Sequence, residues 1–215
     1  MTANRSVIAS GAAACIIACT GDFAFTFIGG SYYPGYSQIH DTMSSLGATA
    51  SPVSGILSLW WVVMGLLFVL YAMAIYYAFA SRPFIKVAAA LIMLYGLGEG
   101  LGSGLFKADP AAEAIISSYL FHNILGGVGI ISILILPLIM KKVIPGNENM
   151  FLPVLSNIVF AAAIIFITLF LSRFDAFGII TDLKGLWQRL LVADIYIYLL
   201  FVDGLVIKRL LIKES

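Results

Sequence analysis

Four ionisable side chains stand inside otherwise apolar stretches of this chain: Asp22, Glu99, His122 and Asp194. A charge in hydrocarbon is costly, so such residues mark either a functional site or an internal pair. Held at one depth, carboxyl groups and an imidazole could do general acid–base work, with burial tuning their proton affinity. Ser44 and Ser45 add hydroxyls that could act as nucleophiles, with His40 or His122 as base. Arg189 could attract an anionic headgroup, and His40, Asp41 and Ser45 form a polar set on one loop. No Gly-x-Ser-x-Gly or His-Glu-x-x-His motif accompanies these groups, so residue types alone do not make an enzyme. Asp, Glu and His are acceptable zinc ligands, but one per segment gives no ligand spacing, and neither a metal nor another cofactor is expected. Two histidines, one of them in a loop, do not make a haem pair.

The elements that must carry these groups are membrane helices. The chain has 215 residues, 61% of them apolar and 11% charged, with a mean hydropathy of +1.04. A soluble domain carries about a quarter of its residues as charges. This chain could not cover a water-facing surface of its size. Its 12 basic and 11 acidic residues also leave no footprint for nucleic acid. A spanning helix needs about 20 apolar residues. Counting between charges predicts six, over 6–28, 52–80, 83–106, 117–140, 149–172 and 188–207. Pro52 and Pro83 are expected in the first turns of the second and third spans. Pro145-Gly146-Asn147 reads as a loop. The expected architecture is all-α, a single six-helix transmembrane domain over 1–215.

Lysine and arginine set the orientation. With the N-terminus inside, the inner side holds Arg5, Arg82, Lys86, Lys141, Lys142, Lys208, Arg209 and Lys213. The outer side holds Lys107, Arg173, Lys184 and Arg189. This asymmetry predicts cytoplasmic N- and C-termini in a multi-pass protein of the inner cell membrane. Arg5, an apolar run and Ile16-Ile17-Ala18-Cys19 loosely resemble a lipoprotein signal. A retained first span is the reading adopted, with Cys15 and Cys19 one turn apart as small packing residues.

Depth follows from a rise of about 1.5 Å per residue, which sets Asp22 and Glu99 roughly 24 Å from the inner boundary. His122 and Asp194 sit about one to two turns below the outer one. All four fall in one layer of the outer third, whereas the inner half holds only Asp203, expected to reach Lys208 or to snorkel. The third span alternates glycine from Gly96 to Gly104. Gly96, Gly100 and Gly104 form one helical stripe, and Gly98 and Gly102 another. Such stripes let membrane helices approach closely, and they leave room beside Glu99 for a ligand or a distorted backbone. The loop from Gly29 to Ser51 carries Tyr32, Tyr33 and Tyr36, has no Lys or Arg, and is longer than a helix connection requires. The stretch from His40 to Leu46 is predicted to form a short helix capping the bundle. Asp109 before Pro110 is predicted to cap the next helix.

Certain segments resemble a known family. Tyr33-Pro34-Gly35-Tyr36-Ser37, then Thr42 to Ala48, then Ser51-Pro52 are similar to segments of the six-helix prokaryotic membrane proteins grouped as domain of unknown function 998. Gly104-Leu105-Phe106 with Asp109, His122, and Gly185-Leu186-Trp187-Gln188-Arg189 match it in the same order. Lys107 departs from the pattern, in which proline is expected at the turn before Asp109. The resemblance implies a six-helix fold and brings no activity. A weaker, topological likeness to Frag1/DRAM-type membrane proteins rests on the Ser-rich, Gly-containing loop after the first span and points toward lipids.

The functional expectation is a membrane protein that binds, and in one version modifies, a lipid or small amphiphile through a polar pocket open to the extracytoplasmic side. Asp22, Glu99, His122, Asp194 and Arg189 would line it, with His40, Asp41 and Ser45 above. The expected partners are membrane lipids. A second reading makes the polar residues internal pairs, such as Glu99 with Arg189 or His122 with Asp22, in an accessory subunit or homo-oligomer of a larger complex. A third is a proton-linked carrier.

Overall fold

Uninterrupted apolar runs bounded by turn residues form helices, because in hydrocarbon every backbone N–H and C=O must find its partner within the segment. The computed structural model describes residues 2–109, 116–173 and 178–212. Six of its helices are long and apolar enough to cross a membrane. We label them α1 (Thr2–Ser31), α2 (Ser54–Ala78), α3 (Ile85–Leu105), α4 (Ile116–Val143), α5 (Phe151–Leu171) and α6 (Lys184–Ile212). All six expected spans are present, so the chain is a polytopic all-α membrane protein.

The boundaries differ from expectation where local chemistry overrides hydropathy. Pro52 and Pro83 stand in turns before α2 and α3 and not within their first turns. Before α3 the chain reverses through Phe84 at φ 61°, a left-handed conformation rare for an aromatic residue. Lys142 Nζ lies 5.2 Å from the centroid of the Phe84 ring. The last helix starts at Lys184, one turn before Gln188, because Gly185 and Leu186 are held by His40 and Ile39 carbonyls of the first loop. The cap expected over His40–Leu46 is a 3-10 turn at Met43–Gly47. Pro110 lies outside the described residues. Asp109 itself binds Thr49, whose backbone N–H and hydroxyl donate to its two carboxylate oxygens at 2.6 and 2.8 Å.

Lipid tails are as apolar as leucine, so helices in a bilayer associate through close packing and interhelical hydrogen bonds. Here α1 packs on α2 and α6, α3 lies between α2 and α4, and α5 packs on α6 and α4. The two glycine stripes face the two neighbours of α3. A Cβ on Gly96 would meet Gly65 O of α2 at 2.7 Å, and one on Gly104 would meet Ser58 O at 2.7 Å. On the other stripe, a Cβ on Gly98 would meet Gly129 N of α4 at 2.8 Å. Between these contacts, Gly96–Gly102 is a π-helical segment. Four glycines in seven residues weaken the α-helix by about 1 kcal/mol each relative to Ala, and nothing on Cβ resists the wider turn. Insertions of this kind recur at functional sites.

One end of the bundle is tied by ion pairs: Glu148 accepts from Arg82 at 2.5 Å and from Arg209 at 3.3 Å. This joins the α2–α3 turn, the α4–α5 loop and the end of α6, as alternating spans require. Cys15 and Cys19 are free thiols, buried in the core.

Candidate functional site

The π segment carries Glu99 between α2 and α4 at the end of the bundle opposite Glu148. Gly126 and Gly129 of α4 make room for it: a Cβ on Gly126 would lie 3.0 Å from Glu99 Oε2, and one on Gly129 would lie 3.2 Å from Glu99 Cβ. The Glu99 carboxylate accepts no hydrogen bond from the described residues. It lines two adjoining cavities.

The smaller cavity has a volume of about 20 Å³, room for a single water, and is bounded by Asp22, Tyr95, Glu99, Ser103, Gln188 and Tyr196 among others. Asp22 is not free on this side. Its Oδ1 accepts from the Trp60 and Trp61 indoles at 3.3 and 3.2 Å, and its Oδ2 from the Tyr196 hydroxyl at 3.0 Å. Tyr95 donates to the Tyr196 hydroxyl at 3.1 Å. Asp22 therefore joins α1 to α2 and α6, and through Tyr95 to α3.

The larger cavity holds about 280 Å³. Ser44, Glu99, His122, Asn123 and Gln188 make its polar end, while Ile130, Ile131, Leu134, Ile167, Phe170, Leu171, Leu191 and Val192 make the rest. It lies between the π segment, α4, α5 and α6, under the 3-10 cap. His122 is oriented by Phe106, whose carbonyl lies 2.9 Å from Nδ1. Gln188 accepts from the Met43 N–H at 2.6 Å, which fixes the cap over the cavity and leaves its Nε2 without a partner.

The remaining expected site residues lie elsewhere. Arg189 is buried with its terminal nitrogens turned to the loop and to its own helix: Nη1 donates to the carbonyls of Asp41 and Gly185 at 2.9 and 3.0 Å and Nη2 to the Tyr36 hydroxyl, while Nε has no hydrogen-bond partner among the described residues. The Tyr36 phenol is held above its ordinary pKa by burial, against the lowering effect of Arg189. Asp41 accepts the Ser37 N–H at 2.7 Å and shares with Ser45, Tyr33 and Tyr36 a separate surface hollow. His40 is exposed and sits by Asp182, with Nδ1 2.9 Å from the Asp182 carbonyl. Asp194 lines neither cavity. It lies two residues from Tyr196, near the height of Asp22 but on another face of α6, and its buried Oδ2 has no hydrogen-bond partner. Neither expected internal pair forms, because Arg189 is turned to the loop and Asp22 to the indoles.

One further expectation needs correction. Asp203 neither snorkels nor reaches Lys208: it is 1% exposed and its Oδ1 has no hydrogen-bond partner. Lys107 is anchored on α2. Its Nζ donates to Ser54 and Ser58 of α2 at 2.6 and 2.7 Å, and desolvation lowers its pKa despite Asp109 nearby.

Gln188 and Asn123 were not singled out as ligand groups from sequence. Asn123 is a polar residue in an apolar span next to His122, a signal of the kind that marked His122 itself. Gln188 carried no such signal, because it sits where hydropathy placed a boundary. Among the described residues no cluster of His, Cys, Asp or Glu could hold a metal ion.

The sequence profile described as "Protein of unknown function (DUF998)" matches residues 16–202. The chain belongs to the DUF998 family. That match takes in every residue lining the two cavities. No protein of curated function and no solved structure matches this DUF998 chain.

Proposed function

We propose that this DUF998 protein binds a lipid or small amphiphile in the larger cavity, polar end against Glu99, His122, Asn123, Gln188 and Ser44, apolar end along α4, α5 and α6. The observation that carries this reading is one cavity lined by both polar and apolar side chains, beside a carboxylate that has no hydrogen-bond partner among the described residues. A membrane-embedded carboxylate without a protein partner is expensive, and a ligand's polar group would offset that cost. Asp22 lies across the smaller cavity from Glu99. Arg189, Asp41, Ser45 and His40 hold the cap and are not headgroup ligands. The excess of Lys and Arg at the Glu148 end supports an orientation with both termini cytoplasmic and the cavity near the outer face of the inner membrane.

Native mass spectrometry from a gentle detergent tests the reading. The wild type is expected to carry a discrete co-purified amphiphile mass, absent from a Glu99→Gln/His122→Ala variant of similar thermal stability. A wild type with no adduct, or equal adducts on both proteins, refutes it. For orientation, a cysteine at Ser37 should react with a membrane-impermeant maleimide applied to intact cells. Protection there until the membrane is opened would invert the topology.

A further inference from the structure

We infer that the amphiphile bound at this site has a protonated amine as its polar end. The inference rests on the proposed function and names the chemistry that the cavity selects. Its polar lining sets further acceptors, the Ser44 hydroxyl and the Asn123 side-chain carbonyl, around one carboxylate, Glu99, while the Gln188 carbonyl is taken by the Met43 N–H. A second carboxylate, Asp22, lies across the water-sized cavity that Glu99 also lines.

Among the described residues no Lys or Arg lines either cavity. The four bases nearest in the sequence to lining residues are disposed otherwise. Arg189 adjoins Gln188, but it lines neither cavity and its terminal nitrogens donate to Tyr36, Asp41 and Gly185. Lys107 gives its ammonium to Ser54 and Ser58, on the α2 side of α3. Arg173 and Lys184 contribute nothing to the lining, and Arg173 is exposed. A phosphate or carboxylate head placed against an ionised Glu99 would meet like charge with no Lys or Arg among the described residues to offset it and His122 as the sole basic group in the described lining, an arrangement that costs several kcal/mol where water is excluded. An alkyl ammonium has three donors and a single positive charge. One donor can take the free Glu99 carboxylate, and the others can take Ser44 or Asn123, while the chain follows Ile130, Leu134 and Ile167. A neutral hydroxyl head could satisfy the hydrogen bonds but would not neutralise the acid.

The source of the amine is a free alkyl amine or an aminophospholipid of the surrounding leaflet. The two share the ammonium and the apolar chain.

The test uses the full chain, stripped of co-purified amphiphile, with decylammonium, decyl phosphate and decanol at equal concentrations below their micelle points. Occupancy is read by native mass spectrometry. Decylammonium is expected to occupy the protein at a concentration at least tenfold lower than either other probe. Glu99→Gln is expected to bring decylammonium to the level of decanol. The ranking on wild-type protein decides the matter even if that variant does not fold. If decyl phosphate or decanol binds as well as decylammonium, the amine assignment is overturned while the amphiphile reading stands. If none of the three binds, the proposed function itself fails. Among amine outcomes, displacement of decylammonium by phosphatidylethanolamine and not by phosphatidylglycerol assigns the source to the bilayer. Failure of both to displace it assigns a free amine, and either upholds the ammonium.

Discussion

Gly100→Ala tests the seam that holds Glu99 in place. A Cβ there would meet the backbone of Gly65, with its N at 2.7 Å, and the Trp61 carbonyl at 3.1 Å. These are backbone atoms and cannot turn aside as a flexible side-chain end could. Restoring an ordinary separation of about 3.5 Å from the Gly65 Cα, which lies closer still than its N, would open the α2–α3 contact by roughly 1 Å, and a gap of that size forfeits about half of each dispersion contact across it. Overpacking of this kind costs about 1–3 kcal/mol, offset by about 0.5–1 kcal/mol from alanine's better helix propensity. Gly204→Ala is the matched control. It is also mid-helix, but nothing lies within 4 Å of its added Cβ, so only the propensity gain applies. The two variants should therefore diverge by about 1–3 kcal/mol, or several degrees in thermal midpoint, in one detergent. Gly100→Ala should fall below the wild type and Gly204→Ala should rise above it. Equal or higher stability for Gly100→Ala would refute the close approach, and with it the glycine-built π segment.

Asp22→Leu should be far more damaging than Asp22→Asn. Leucine strands two indole N–H groups and a tyrosine hydroxyl, each costing about 1–3 kcal/mol if left unpaired, whereas an asparagine oxygen still accepts from Trp60 and Trp61. Comparable unfolding midpoints for the two variants would show that Asp22 does not hold α1 to α2 and α6. Arg189→Ala should free the 32–53 loop, giving faster amide exchange there with little change at α2. Unchanged exchange with lost amphiphile would instead make Arg189 a headgroup ligand. Asp203→Leu should raise the thermal midpoint, by about 1–3 kcal/mol in stability, because a buried carboxylate oxygen without a partner is removed. A drop in midpoint would mean that Asp203 has an ordered partner.

Which parts of this molecule could be read from its sequence follows from what one-dimensional spacing encodes. Span number, the glycine stripes and the height of the polar layer all depend on distance along a helix axis, which rises regularly with residue number. Asp22, Glu99 and His122 accordingly do meet at one level. Azimuth is harder, because a π segment or an early start such as Lys184 changes the phase at which later residues face a neighbour. Asp194 has the expected height and another face. Arg189 is near the expected boundary, yet the first loop folds down to claim its guanidinium. The preference of a buried cation for the nearest fixed carbonyls is not written in any local motif.

The same distinction bears on how Glu99 comes to be available. Among the described residues, the other carboxylates at this end of the bundle have a competing use or position: Asp22 is held by three donors, Asp41 closes its own loop turn, Asp109 is bound by Thr49 and Asp182 sits against His40. Asp194 is unpaired but lines neither cavity. Glu99 alone among these is unpaired and beside a cavity, on a segment whose glycines forgo helix stability to stay close to both neighbours. A purely structural acid would be expected to find donors, as Asp22 does. Keeping one without them, inside a seam built of Gly65, Gly96, Gly98, Gly100, Gly126 and Gly129, is the pattern expected when local stability has been given up for a site.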